Sequence, residues 1–294
     1  MARDVKSNLG FLKRDDLYNA VKPYSCRFAP TDGLPRHNLI IETRDVVIHD
    51  ARPLNPSIQE NGFTLASFPT DMSYEDFTNH DKISKIYAPE LEDHLKQLLQ
   101  ARHVKVFDYA VRRRHPDFPI STGTEYSNQQ PARLVHLDFS REEGIRMLRT
   151  LYGEGAEEIL QQRWQIINTW RPLKGPLFDW PLAVCDAQTF DAARDAQISD
   201  AVYPEWAYEN VLIHAHPDQK WYYFYALQDS ETMVFKCMDS DTEAIGPCPH
   251  GSFPNSSHLT PENPRESVES RAFVMWAGLD KLPEEIGTVY GGRR

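Results

Sequence analysis

The chain has 294 residues and a formal net charge of -11, with 43 Asp and Glu against 32 Lys and Arg. That balance excludes a protein whose affinity comes from releasing phosphate counterions along a nucleic-acid backbone, which needs broad basic faces. Apolar and charged fractions of 40% and 26% are those of an ordinary globular protein that can bury a core, so a small-molecule partner fits better than a polyanion.

The first seventy residues are turn-rich, with proline at 23, 30, 35, 53, 56 and 69, and hold one evident strand, Asn38-Leu39-Ile40-Ile41-Glu42-Thr43. No apolar leader opens the chain and no segment approaches the ~20 apolar residues of a membrane span. A cytoplasmic protein without membrane insertion is expected. Residues 73–102 turn helical, with leucines at helical intervals behind Pro89, a first-turn proline. The run Arg112-Arg113-Arg114 has no wider basic face around it and reads as solvated surface. A second helical block covers 140–162, where Ser140 caps and Glu142 and Glu143 compensate the first turn.

Beyond it the pattern changes to strands: 164–170, ending before Arg171-Pro172, then 182–186, 210–215, 220–227, 233–238 and 267–276. Short strands with helices before and among them predict a mainly β fold with flanking helices, a β-sandwich or jelly-roll core. No repeat or linker marks a boundary, so residues 1–294 read as a single domain. Cys26, Cys185, Cys237 and Cys248 form no CxxC pair and are expected as reduced thiols.

Three His-x-Asp triplets occur: His115-Pro116-Asp117, His136-Leu137-Asp138 and His216-Pro217-Asp218. On a strand, residues i and i+2 share a face and can converge on one ion. Only the middle triplet has strand-like neighbours, with Val135, Leu137 and Phe139 facing the other way; proline makes turns of the other two. Two histidines and one carboxylate leave three coordination positions open, which suits Fe(II) binding an oxo-acid and dioxygen together. The third ligand must come from a distant strand. His250 is the candidate and His214 its competitor, but only His250 is followed by a site for the oxo-acid. If the stretch from Pro264 to Phe273 is a strand, Arg265, Ser267, Glu269 and Arg271 share one face. An arginine fork is the expected partner of the distal carboxylate of 2-oxoglutarate, and a hydroxyl two residues on supplies a second hydrogen bond. Arg265 is the expected anchor, with Ser267 beside it. Arg271 is either a second anchor or the structural partner of Glu269, and the residues leave that choice open. The bland alternative is an amphipathic edge strand.

These residues resemble the fungal AsaB-type hydroxylase/desaturase family, also called the CmcJ/NvfI family, of secondary metabolism. The matching stretches are Val135-His136-Leu137-Asp138, Asn168-Thr169-Trp170-Arg171-Pro172-Leu173, Pro181-Leu182-Ala183-Val184-Cys185-Asp186, Gln219-Lys220-Trp221-Tyr222-Tyr223-Phe224, Phe235-Lys236-Cys237-Met238-Asp239-Ser240, Pro249-His250-Gly251-Ser252-Phe253 and Arg265-Glu266-Ser267-Val268-Glu269-Ser270-Arg271. The resemblance implies a double-stranded β-helix (jelly-roll, cupin-like) core, Fe(II), and 2-oxoglutarate and dioxygen as co-substrates. Hydroxylation, endoperoxidation or desaturation of a bulky apolar secondary metabolite, such as a terpenoid or meroterpenoid, is the implied reaction. The first hundred residues match loosely and are expected to cover the substrate.

A largely apolar pocket is expected. Tyr126, Trp221, Tyr222 and Tyr223 are candidates to line it, and Tyr126 could donate a hydrogen atom to a substrate radical. Asn168 and Arg171 could assist binding or simply pack. Two competing readings remain: a zinc-dependent hydrolase on the same three ligands, and a non-enzymatic jelly-roll binding module with an incidental His-x-Asp. Homodimerisation is left open.

Overall fold

The computed structural model describes residues 3–31, 33–120, 126–256 and 264–278. Among them fourteen strands, numbered in chain order, form two sheets. The large sheet runs in the order β1 (Val5–Leu12), β3 (Ile41–Asp50), β11 (Trp221–Tyr223), β8 (Leu182–Cys185), β13 (His250–Ser252), β6 (His136–Leu137), β10 (Ala207–Ile213), β9 (Ala196–Val202), β2 (Tyr24–Cys26). The small sheet is β4 (Phe63–Ser67), β12 (Glu231–Asp239), β7 (Trp164–Pro172), β14 (Glu266–Met275), β5 (His103–Arg113). Only β11 with β3 and β2 with β9 pair in parallel; the other ladders are antiparallel. The architecture is the mainly β jelly roll with flanking helices that the strand pattern predicts.

The sheets pack face to face, as a sandwich must to bury its apolar faces. Trp170, Met233 and Phe235 of the small sheet meet Leu182 and Val184 of the large one. Further along, Phe107 and Phe273 pack with Phe139 and Tyr208. Strand β7 is buried along its whole length, its polar Gln165, Asn168, Thr169 and Arg171 included, as in a strand covered on both faces. One cover is the helix Ala88–Leu99, which lays Leu91, Leu95 and Leu99 on Val104, Val106, Ile167 and Val274. The helix Arg141–Tyr152 closes one end with Met147 and Leu148, and Ser140 caps it by accepting from the Glu143 amide.

Several boundaries differ from the expectations, each for a physical reason. β7 continues through Arg171-Pro172, because Pro172 sits at the strand's last position, where a missing donor costs little. The strand expected at 38–43 begins at Ile41 and extends to Asp50, paired with β1 from Ile41 to Ile48 and with β11 at its end. The run expected over 220–227 keeps only Trp221–Tyr223 as strand. Strands β5 and β9 went unforeseen, and the first seventy residues hold the short strands β1, β2 and β4 besides the one evident strand. The reading of Arg112-Arg113-Arg114 as solvated surface is corrected: the first two end β5, and the three pair with Glu269, Glu266 and Asp179 respectively. Partners that lie far along the chain turn a basic run into an inter-strand ion-pair ladder.

Candidate metal centre

His136 and His250 stand directly opposite each other on the neighbouring strands β6 and β13. Asp138, two residues beyond His136, returns to the same face, as strand alternation requires. Val135 and Leu137 bury on the opposite side, with Leu9 and Trp221. Backbone hydrogen bonds from Gly10 N to Arg133 O and from Val135 N to Gly10 O tie this segment to β1, a close approach that glycine permits, since a Cβ there would sit 3.2 Å from the Arg133 carbonyl oxygen. One ligand atom from each of His136, Asp138 and His250 lies within 4.8 Å of the others. The Nε2 atoms of His136 and His250 lie 3.6 and 3.8 Å from the Asp138 carboxylate oxygens.

Each histidine is oriented from behind. Nδ1 of His136 lies 2.7 Å from the Leu134 carbonyl and Nδ1 of His250 3.3 Å from that of Cys248, which turns both Nε2 atoms toward the carboxylate. Burial, then the charge of His136, pushes the His250 imidazole down to about 4, so its ring is neutral at physiological pH. Burial opposes ionisation of Asp138, but Arg271, then His136 and His250, outweigh it and hold the carboxyl well below the usual range. The donor set is two imidazole Nε2 atoms and one carboxylate, which fits a divalent cation of Fe(II) type with open positions.

The small sheet supplies the support. Arg271 of β14 and Asn168 of β7 are cross-strand partners, and both donate to Asp138: Arg271 Nε and Nη2 at 2.9 and 3.0 Å, Asn168 Nδ2 at 2.6 Å. The register of β14 against β5 shifts between Arg271 and Ala272, where β5 carries the extra residue Phe107. Arg271 also binds Asp108 and Glu269, and Glu269 takes a bidentate pair from Arg112. Sequence reasoning missed Asp108 and Arg112 in this network, and it left Asn168 undecided. Arg171, undecided with it, donates to the Phe68 carbonyl and lies near the Phe77 and Tyr87 rings, a packing role.

Two cavities meet at the cluster, sharing Arg112, Ala132, His136, Asp138 and Arg271. One is a narrow recess between the sheets, reaching Trp170, Ser252 and Arg265. Arg265 is 1% exposed. Its Nε donates to Ser267 Oγ at 3.1 Å, and Nη1 donates to the Trp180 carbonyl and Ser252 Oγ. Among the described residues Nη2 has no partner, and no carboxylate faces the guanidinium closely enough to pair with it. Burial, then Arg112, lowers its pKa to about 9, the mark of a buried cation short of counter-charge. Asn168 Oδ1, Thr169 Oγ1, Trp170 Nε1 and Ser270 Oγ, all on residues around the recess, are buried without protein partners. The donors of this lining suit the carboxylates of a small oxo-acid.

The other cavity, about 650 Å³, opens in front of the cluster. Its wall is mixed where a largely apolar one was expected, with Leu39, Leu134 and Leu212 beside Arg27, Arg133 and Asp200. Tyr126 lines neither cavity; its hydroxyl donates to the Ile120 carbonyl and its ring lies beside His115 and Phe118. Trp221 and Tyr223 are buried in the large sheet's own cluster, and Tyr222 packs against His49 and Phe63. His214 binds the Leu12 carbonyl, apart from the other ligands. The other two triplets stay closed on themselves: His115 Nδ1 lies 3.7 Å from Asp117 and His216 Nδ1 3.2 Å from Asp218. All four described cysteines are free and buried.

Two histidines and a carboxylate with open positions, set between the sheets of a jelly roll, are characteristic of mononuclear non-haem oxygenases, and known proteins similar to this chain fall within that class. Residues 9–275 match the family described as "Oxidoreductase/YMDC permease-like domain". No helix among the described residues is long and apolar enough to cross a membrane. The "Hydroxylase/desaturase CTB9" of Cercospora beticola is 30% identical, over 84% of this chain and 80% of its own length. The "Fe(II)/2-oxoglutarate-dependent dioxygenase nvfI" of Aspergillus novofumigatus is 28% identical, over 84% and 89%. A solved structure of the "iron and alpha-ketoglutarate-dependent endoperoxidase NvfI" superposes with a TM-score of 0.80 at 26% identity, covering 94% of this chain and 99% of that one. The chain belongs to this oxidoreductase family, among its fungal hydroxylase/desaturase and dioxygenase members.

Proposed function

We propose that the chain oxidises a bulky secondary metabolite at Fe(II) held by His136, Asp138 and His250, with 2-oxoglutarate anchored by Arg265. The observation that carries this reading is the convergence of the three ligand atoms within 4.8 Å, next to a buried arginine with a free nitrogen. When bound, the iron with 2-oxoglutarate and dioxygen supplies the hydrogen-abstracting oxidant. The chain's residues do the rest. Arg265 offers Nη2 to the distal carboxylate, while Ser267 and Ser252 fix the guanidinium plane. Arg271 and Asn168 hold Asp138 ionised and oriented. A zinc hydrolase would use the same ligands but leaves Arg265 without a task.

The N-terminal segment contributes Ser25, Arg27 and Leu39 to the wide cavity, which supports its part in covering the substrate. A cytoplasmic location goes with this reading. Anaerobic titration with Fe(II) and 2-oxoglutarate tests it: a visible charge-transfer band that needs both components supports the reading, and its absence overturns it. Product mass under labelled dioxygen separates the variants, with one labelled oxygen for hydroxylation, two from one molecule for endoperoxidation, and none with loss of two hydrogens for desaturation.

A further inference from the structure

The metal cluster does not dictate what enters the wide cavity; its lining does. In a chain of net charge -11, this cavity gathers four arginines, Arg27, Arg112, Arg133 and Arg271, against two aspartates, Asp138 and Asp200. Most of that charge is already neutralised. Arg112 is bound to Glu269 and Arg271 to Asp138, while Asp200 is held by Lys22 at 2.5 Å. Arg27 and Arg133 differ: neither has an acidic side chain within ion-pair distance among the described residues. Arg133 has only the Trp180 ring, 5.8 Å from its guanidinium carbon. Both are exposed at the cavity wall, one just beyond β2 and the other just before β6. Unpaired cations on the wall of a cleft focus potential into it.

Opposite in character is the wall built by β9 and β10. Tyr203 and Tyr208 line the cavity and are backed by Trp206, which stacks on Tyr203 at 4.1 Å between ring centroids with planes 6° apart. Rings held by stacking present flat, rigid area at low entropic cost.

We propose that the wide cavity selects a substrate with a planar unsaturated ring body and an anionic oxygen group, held by Arg27 and Arg133 with the ring against Tyr203 and Tyr208. This deepens the preceding reading, on which it rests for taking the cavity as the substrate's. It assigns Arg27 and Arg133 a specificity role that no metal ligand or co-substrate anchor fills, and it gives the bulky metabolite a charged handle.

The test uses two probes of matched shape, 2-naphthoate and the uncharged 2-naphthamide. Each is titrated anaerobically against the whole protein loaded with Fe(II) and 2-oxoglutarate, so that the metal and Arg265 are already engaged. Quenching of tryptophan fluorescence, to which Trp206 contributes, reports binding. The charged probe is expected to bind about tenfold tighter than the amide, as a charge-assisted fork allows, with the advantage shrinking as salt rises. R27Q/R133Q should bring the two probes within about threefold by lowering naphthoate affinity alone, and R27K/R133K should restore part of the preference. Arg44→Gln, at an exposed arginine paired with Glu42 outside this cavity, should change neither. Equal affinities in the unaltered protein, a preference that survives R27Q/R133Q, or no saturable binding of either probe would each overturn the proposal. The charge-transfer band is read in the same sample first. Its absence sinks the iron reading, while the wild-type against R27Q/R133Q comparison still decides this one.

Discussion

The two cavities share a wall at the metal cluster, yet they are built differently. The recess behind the cluster is lined from paired strands of both sheets: Asn168, Thr169 and Trp170 from β7, Ser252 from β13, Ser270 and Arg271 from β14. The wide cavity in front takes much of its lining from strand ends and connections, Arg27 after β2, the stretch from Gln129 to Leu134 before β6, and Tyr203 beside β9. Ladder hydrogen bonds hold atoms in place to fractions of an ångström, whereas connections tolerate substitution. On the proposed reading, chemistry sits on the ladder-held side and selectivity on the side built largely from connections.

Breaking the rigid side should cost most. Alanine at His136, Asp138 or His250 should abolish turnover and strip the metal from the purified chain, while His115→Ala and His214→Ala keep full metal content. A His250→Ala protein with its metal intact would remove that ligand. Next in size is the contrast between the two arginines of β14. Arg265→Ala should raise the 2-oxoglutarate requirement by about 2–5 kcal/mol, since a buried carboxylate loses its partner, with metal content unchanged. Arg271→Ala leaves Asp138, Asp108 and Glu269 without their shared cation and should cost about 3–5 kcal/mol of stability, read as a lower Tm, together with weaker metal binding. If Arg271→Ala instead gave the larger co-substrate defect, the roles of the two would be exchanged.

A smaller effect concerns pH. The native His250 ring titrates near about 4, below its ordinary value, so the unfolded chain binds the extra proton first. Its contribution to stability is complete above the ordinary histidine range and is lost as pH falls from there toward 4. Proton NMR of the metal-free protein should show this ring neutral at pH 5.5; a midpoint near 6.5 would place it in water. The smallest effect is expected from Tyr126→Phe, which removes one bond to a loop carbonyl. Turnover should stay within about twofold, and a large loss would return Tyr126 to the chemistry.

What was legible in the residues follows the same division. The ligands could be read because strand alternation is local: a histidine and an aspartate two apart, flanked by apolar residues, can only share a face. That Arg265 and Ser267 share a face was readable for the same reason, and the two are hydrogen-bonded as spacing two allows. Arg271's attachment to Asp138 was not, because it depends on β14 lying beside β7 and under β6, a pairing no local pattern encodes. Strand β5 carried a usable signal in the alternation of Val104 and Val106 with His103 and Lys105. The adjoining arginine run masked it, since the glutamates that neutralise that run come from β14. The cavity in front stayed illegible because Arg27, Arg133 and Tyr203 come together only through tertiary packing.

The direct opposition of His136 and His250 across β6 and β13 has a consequence for quality control of folding. Slipping β13 by one residue would set Pro249 or Gly251 opposite His136 and turn the His250 ring toward Val135 and Leu137. A mispaired molecule of this kind could be compact and hydrogen-bonded yet would have only two of the three donors. Iron stoichiometry in a purified batch would then count correctly threaded chains, a tally that circular dichroism or gel filtration cannot make.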